Sequence, residues 1–393
     1  MTPLSLHDTL ILPDDRLAGA LAGRIWRPDA EGPSVVSIGA RGVMDVSADF
    51  PTMRDLCEQP SPAEALRSAR GPLLGTMSDI LAHTPREARI GGRGHLLSPV
   101  DLQAIKAAGV TFARSLLERV IEERSQGRPE RAQAMRETVA VALGAELRGF
   151  KPGSPAALRL KKALVEAGAW SQYLEVAIGP DAEVFTKSQP MSAVGCGADA
   201  GFHSASRWNN PEPEVALVVA SSGRIVGATL ANDINLRDFE GRSALLLGKA
   251  KDQNASCAIG PFLRFFDATF SLDDVRAATV SLRIEGEDGF LLEDVSSMAE
   301  MSRDPVELVE QTLGPSHAYP DGLVLLLGTM YAPIVDRGEP GMGFTHHPGD
   351  VVIIGSKKLG RLVNRMRRCE DCERWTFGTG ALMRNLARRG LIR

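Results

Sequence analysis

Three carboxylates give the first sign of chemistry. Glu212 and Glu214 stand two residues apart at the start of a β-branched run, Val215 to Val219, and Asp233 follows a second run, Ile225 to Leu230. Ala-Ser-Ser-Gly-Arg joins the runs, so the stretch predicts a strand, a Gly-containing turn and an antiparallel strand. A strand has period two, which puts both glutamates on one face, while the returning strand brings Asp233 to the same end of the hairpin. Carboxylates held that close repel one another unless a cation or protonation relieves them. All-oxygen ligation selects Mg²⁺, Mn²⁺ or Ca²⁺ over zinc. The competing reading is an exposed acidic strand end paired with Arg207 or Arg237, and the spacing alone leaves both open.

Lys251 lies 18 residues after Asp233, with Lys249 two residues before it on the same predicted face. Beside a metal–carboxylate site a lysine can act as a base or anchor a substrate carboxylate. Cys369 and Cys372 have CxxC spacing, but no second Cys or His pair follows them, so two ordinary thiols are expected. His346 and His347 precede Pro348 in a predicted loop and are expected at the surface.

The elements that must position these residues change character along the chain. Residues 1–96 alternate short apolar runs (Leu21 to Ile25, Val35 to Ile38, Val43 to Val46) with Gly, Pro and Asp turns, then give a helix around Ser61 to Ala69. This predicts a small β-containing N-terminal domain, with residues 97–393 forming the catalytic domain. Ser98-Pro99-Val100-Asp101 reads as a helix start, with Leu102, Ile105 and Ala108 at helical spacing. After Gly109 the helical pattern resumes from Phe112 to Ile121, and Arg131 to Leu147 and Pro155 to Ala169 predict further helices. Beyond Trp170 the chain turns β-rich, with a strand at Glu183 to Lys187, a second hairpin across 278–294 and a Pro-initiated helix from Pro305 to Leu313.

Composition narrows the class. With 393 residues, 44% hydrophobic and 24% charged, the chain has an ordinary globular make-up and can bury a large core. A net charge of −4 argues against general nucleic-acid binding, and no run approaches the ~18 apolar residues of a membrane span. The N-terminus has no basic region followed by an apolar core, and five scattered cysteines fit a reducing cytoplasm.

The spaced motifs together resemble the fumarylacetoacetate hydrolase superfamily. The pattern is ExE, an Asp within Gly-x-Thr-Leu-x-Asn-Asp, and a Lys 18 residues on. Glu183-Val-Phe-Thr-Lys187, Ile259-Gly260-Pro261, Gly328-Thr329 and Pro348-Gly349-Asp350-Val351 agree in order. The resemblance, over roughly residues 95 to 390, implies an α+β fold with a mixed β-roll, assembled as a homodimer or homotetramer. It also implies a divalent cation, Mg²⁺ first, on Glu212, Glu214 and Asp233, with Lys251 over the substrate. One position departs: hydrolases of the superfamily carry a water-activating His and Glu at a helix start, and here Ser115 replaces the His while Glu118 is kept. A serine without a base of its own cannot activate water.

The dehydratase branch lacks that His as well, so the resemblance implies dehydration of a 2-keto-3-deoxy sugar acid, a 2-keto-3-deoxypentonate such as the D-xylonate form. The product would be 2-oxoglutarate semialdehyde, in pentose oxidation. Lys251 is then expected to move the C-3 proton with a pKa lowered by the cation, and Glu183 to act as acid/base for the C-4 hydroxyl. Lys187, Thr329, Ser115 and Glu118 are the expected substrate-binding residues. The rivals are hydrolysis of a 2,4-diketo acid or acylpyruvate, oxaloacetate decarboxylation at the same metal site, and a non-catalytic keto-acid sensor. The intact Glu212, Glu214, Asp233 and Lys251 argue against the sensor.

Overall fold

The computed structural model describes residues 3–393 other than 90, 136–150, 167, 169, 330, 332 and 338. In spatial order, the large sheet runs β4 (Leu73–Gly75), β3 (Gly42–Asp45), β2 (Gly32–Gly39), β1 (Ala20–Arg27), β13 (Cys257–Phe265) and β11 (Ile225–Asp233). It continues through β10 (Pro213–Val219), β16 (Leu323–Leu326), β6 (Ala104–Gly109) and β7 (Glu183–Ser188), with β5 (His95–Leu97) pairing β1 off this path. A second sheet orders β15 (Leu291–Ser297), β14 (Thr279–Glu285), β17 (Val351–Ser356), β18 (Gly360–Arg368) and β8 (Asp199–Phe202). A short pair joins β9 (Asn209–Asn210) to β12 (Asn235–Leu236). Two ladders are parallel, β16 with β6 and β18 with β8, so both larger sheets are mixed.

The alternation within β10 shows why the sheet forms here. Val215, Leu217 and Val219 face one core, shared with Leu282, Ile284, Val352 and Ile354 of the second sheet. Ala216 and Val218 face the other, shared with Met53, Leu56, Ala63 and Leu66 from the helices Met53–Cys57 and Pro62–Ser68. A strand covered on both faces needs apolar residues at every position, which accounts for the unbroken run Val215 to Val219. Each buried Val or Leu contributes about 1.5–3 kcal/mol of transfer free energy. The N-terminal strands continue this sheet: β1 pairs β13 antiparallel, Ala20 opposite Phe265.

Most expected elements form. The central hairpin, the 279–297 hairpin, the helices Ala113–Arg124, Pro155–Glu166 and Pro305–Thr312, and the strand Glu183–Ser188 are all present. The helix expected from Ser98 to Ala108 is not: Ala104–Gly109 is strand β6, parallel to β16. Apolar residues at Leu102, Ile105 and Ala108 mimic helical spacing, yet Ile105 and Ala107 line one core and Ala108 the other, as a two-sided strand requires. Of the helix expected from Arg131 to Leu147, residues 129–135 are helical and 136–147 lie outside the described residues.

Candidate metal centre and active site

The hairpin register sets the carboxylates. Glu214 lies opposite Ala231, Pro213 opposite Asn232, and the Asp233 N–H donates to the Glu212 carbonyl at 2.9 Å. The Asn232 side chain accepts the Glu212 N–H at 3.1 Å, which fixes the residue that precedes β10. Glu212, Glu214 and Asp233 are all buried, and one oxygen of each lies within 4.8 Å of the others. The spacing of strands therefore yields the expected triad.

Its partners are not the arginines of the competing reading. Lys251 donates to Glu212 Oε2 at 2.6 Å and Asp233 Oδ2 at 3.1 Å. Lys187 pairs with Asp233 Oδ1 at 2.8 Å, and Arg119 pairs with Glu212 Oε1. Arg237 instead binds Glu118 at 2.7 Å and Glu122 at 2.6 Å, its guanidinium 4.2 Å from the Trp208 ring. Glu214 differs from its neighbours. It accepts the Gly328 N–H at 2.6 Å and has no ion pair among the described residues.

Electrostatics separates the two glutamates. Burial pushes Glu212 up, but Arg119 and Lys251 outweigh it and bring its carboxyl down to about 2. Burial, then Asp233 and Glu212, push Glu214 well above the usual carboxylate range. A buried carboxylate with one backbone donor and two anionic neighbours is the chemistry of a cation ligand awaiting its charge partner. Three hard oxygen donors fit Mg²⁺, and the residues present are suited to hold it.

Lys251 departs from expectation in its relation to Lys249. It ends the helix Leu247–Lys251, so Lys249 does not share its face; Lys249 instead sits 5.3 Å from the Phe239 ring. Burial lowers the Lys251 pKa, but Asp233, Glu212 and Glu240 outweigh burial and hold it above its ordinary value. The expected depression belongs to the cation-bound site, where a cation would share the charge of Glu212 and Asp233.

A tight cavity joins the triad to Lys251, Glu183, Ser115 and Thr329, and Arg119, Glu240 and Phe185 complete its charged and aromatic wall. Glu183 opens β7 opposite Gly109 of β6, and the missing side chain leaves room for the Glu183 carboxylate, which a Cβ there would displace. Val110 follows with φ +56°, a left-handed conformation that costs a β-branched residue about 1–3 kcal/mol and is typical of functional walls. Burial and then Glu240 raise the Glu183 carboxyl to about 7. Ser115 donates to the Phe112 carbonyl at 3.0 Å. The Thr329 hydroxyl accepts the Tyr331 N–H at 3.0 Å.

Two expected substrate contacts lie elsewhere. Lys187 is fully buried and donates to the Ile234 and Lys251 carbonyls at 3.0 and 2.6 Å, behind the cavity wall. Glu118 binds Arg237 and does not line the cavity. His346, expected at the surface, is buried: its ring lies 6.0 Å from Phe202 and 5.0 Å from Phe344, and Nδ1 is 3.4 Å from Asp350. Cys369 and Cys372 are free thiols, as expected. The sequence reading missed Arg119, Glu122 and Glu240. The one available signal was acid–base spacing on the helix after Ser115, where Arg119 and Glu122 stand at i and i+3.

Comparison with known proteins agrees with this geometry. Residues 177–367 match the family model described as fumarylacetoacetate (FAA) hydrolase C-terminal. The chain is 31% identical over 189 residues to the 2-dehydro-3-deoxy-D-arabinonate dehydratase of Saccharolobus solfataricus, covering 47% of this chain and 59% of that protein. It is also 31% identical over 199 residues to a Haloferax volcanii protein named "Probable 2-keto-3-deoxyxylonate dehydratase", covering 51% of this chain and 65% of the relative. The chain thus spans about three-fifths of the length of these curated relatives. A solved 2-keto-3-deoxy-D-arabinonate dehydratase, complexed with magnesium and 2,5-dioxopentanoate, shares the fold at TM-score 0.59 and 19% identity, over 88% of this chain and 99% of that one. A fumarylacetoacetate hydrolase from Exiguobacterium antarcticum matches at TM-score 0.51 and 15% identity, over 89% and 99%. Among the described residues, no helix is long and apolar enough to cross a membrane.

Proposed function

We propose that this chain is a hydro-lyase that dehydrates a 2-keto-3-deoxypentonate, such as the D-xylonate form, to 2-oxoglutarate semialdehyde, with Mg²⁺ held by Glu212, Glu214 and Asp233. The observation that carries this reading is one cavity lined by the triad, Lys251 and Glu183, with Ser115 where hydrolases of the superfamily place a water-activating His. The two curated relatives, both named as dehydratases of this substrate class, support it. When bound, the cation would polarise the substrate's 2-keto group and stabilise the enolate formed as a C-3 proton leaves.

The chain's own residues supply the proton transfers. Lys251 is the acceptor for the C-3 proton in its neutral form, which requires that the charge of Glu212 and Asp233 be balanced by something other than its ammonium. Glu183, with its carboxyl raised to about 7, donates a proton to the C-4 hydroxyl as it leaves as water. The carboxylate so formed takes a C-5 proton, Lys251 returns its proton to C-3, and the resulting 4,5-enol becomes the aldehyde as Glu183 gives its proton to C-4 and the enol hydroxyl loses its own to solvent. Ser115 and Thr329 line the same cavity and orient substrate oxygens. Lys187 acts from behind, tying Asp233 to the Lys251 backbone. Glu118 acts through Arg237. The working assembly is proposed to be a homodimer or homotetramer, which light scattering on the purified protein measures.

The test is to incubate purified protein with Mg²⁺ and racemic 2-keto-3-deoxypentonate and assay for semialdehyde, with solvent deuterium exchange at C-3 as a second readout. Rapid acylpyruvate cleavage without any dehydration would transfer the assignment to the hydrolases. Oxaloacetate decarboxylation as the sole activity would overturn it as well.

A further inference from the structure

We propose that Arg119 is a positioning residue for the cation centre: it holds Glu212 in the orientation that presents its carboxylate to the metal, and is itself held by Glu122 and Glu240. The inference rests on the reading that Glu212, Glu214 and Asp233 bind a divalent cation.

Arg119 lies on the helix Ala113–Arg124, one turn beyond Ser115, and its side chain is buried at the cavity wall. One arm of its fork, Nη2, reaches Glu212 Oε1. The other, Nη1, lies 2.8 Å from Glu122 Oε2 and 3.0 Å from Glu240 Oε2. Glu122 is fixed in turn by Arg237, whose Nε donates to its Oε1 at 2.6 Å. The second oxygen of Glu212 takes Lys251 at 2.6 Å. Glu212 is therefore gripped at both oxygens, by Lys251 on one and on the other by a guanidinium that two further carboxylates keep from turning.

A guanidinium so placed has two opposed effects on a cation. It fixes a ligand in advance, which saves ordering entropy, and it brings a positive charge close to where another must bind. A lysine at this position would keep the charge and lose the fork. Arg119→Lys consequently separates geometry from charge.

The experiment is titration calorimetry of Mg²⁺ into metal-stripped wild type, Arg119→Lys, Glu240→Gln and Glu122→Gln, with thermal unfolding as the check on folding. Partners of metal ligands change affinity by roughly 10–100-fold when altered. Arg119→Lys is expected to weaken Mg²⁺ binding by about that factor, and each Gln variant by less, in the same direction. Unchanged affinity in folded Arg119→Lys, with wild type binding Mg²⁺ normally, overturns the positioning role alone. A wild type that binds no Mg²⁺ overturns the metal reading and this inference with it. If Arg119→Lys does not fold, unchanged affinity in both Gln variants overturns the inference, and weakened affinity in both sustains it.

Discussion

Two buried acids, Glu214 and Asp350, are both nearly inaccessible, yet their surroundings are opposite. Asp350 is held by the Arg337 fork, Nη1 to Oδ2 and Nη2 to Oδ1, both at 2.7 Å, and also takes the His347 N–H at 3.0 Å. No cavity of the reaction site reaches it. Glu214 has a single backbone donor, two carboxylate neighbours and a cavity in front of it. Where the protein has balanced a buried charge with its own arginine, the group serves the fold. Where its own side chains do not balance the charge, the group is the one proposed to serve chemistry.

Substitution at these two positions is the sharpest way to break that contrast. Glu214→Gln should cost at least ~10³-fold in dehydration, more than loss of a single transition-state donor usually costs, and should abolish the rise in melting temperature that Mg²⁺ gives the wild type. The metal-free variant should be no less stable than metal-free wild type, because a buried carboxylate without a cation has been removed. Full activity, or a large loss of metal-free stability, would show that Glu214 belongs with Asp350. The reverse holds for Asp350→Asn, which should lose up to about 3–5 kcal/mol of stability by breaking the buried pair and leaving Arg337 with only the half-exposed Asp288, while the folded protein binds Mg²⁺ as before. Denaturant titration with calorimetry on the same samples checks both halves.

Smaller effects refine the picture. Lys251→Met should lower turnover by about 10²-fold, the usual cost of a missing proton-transfer group. Lys249→Met, whose side chain lies over Phe239 rather than in the cavity, should change it little. Equal effects would misplace the site. The smallest effect is a slope against pH. Glu183 has its carboxyl raised from 4.5 to about 7, so between those values the folded chain binds more protons than the unfolded one and stability falls as pH rises. Glu183→Gln should flatten the melting temperature between pH 5 and 7 relative to wild type, measured without added metal. An unchanged slope would mean that Glu183 is not in the environment described.

How much of this was legible depended on the distance over which the information travels. Glu212, Glu214 and Asp233 could be grouped because strand period and hairpin register act over some twenty residues. Arg119 could not, since it meets Glu212 across 93 positions and no local pattern encodes that contact. The helix expected before Gly109 failed because three apolar residues satisfy two periodicities at once, and only the parallel partner β16 decides between them. His346 was misplaced because a Pro-Gly-Asp loop reads as surface, whereas Phe202 and Phe344 close over its ring. Lys251 was singled out by its spacing from Asp233, while its pairing with the carboxylates of Glu212 and Asp233 is a contact that spacing alone does not give.

The pairing of β1 with β13 also governs the order in which the molecule can be completed. Phe265 is translated about 245 residues after the Ala20 it lies opposite. At ~5–20 residues per second, a ribosome needs roughly 10–50 s to bridge that interval. Throughout it, the nascent β1 can form its hairpin with β2 and pair β5 along Arg24 to Trp26, while the Ala20 to Ala22 end of its other edge lacks β13. That edge is open to any passing strand, including the same segment of a chain on the neighbouring ribosome. The wait ends only when the strand that follows Lys251 emerges, and the sheet and the cavity are both completed later still, by β16 and the Gly328-Thr329 segment after it.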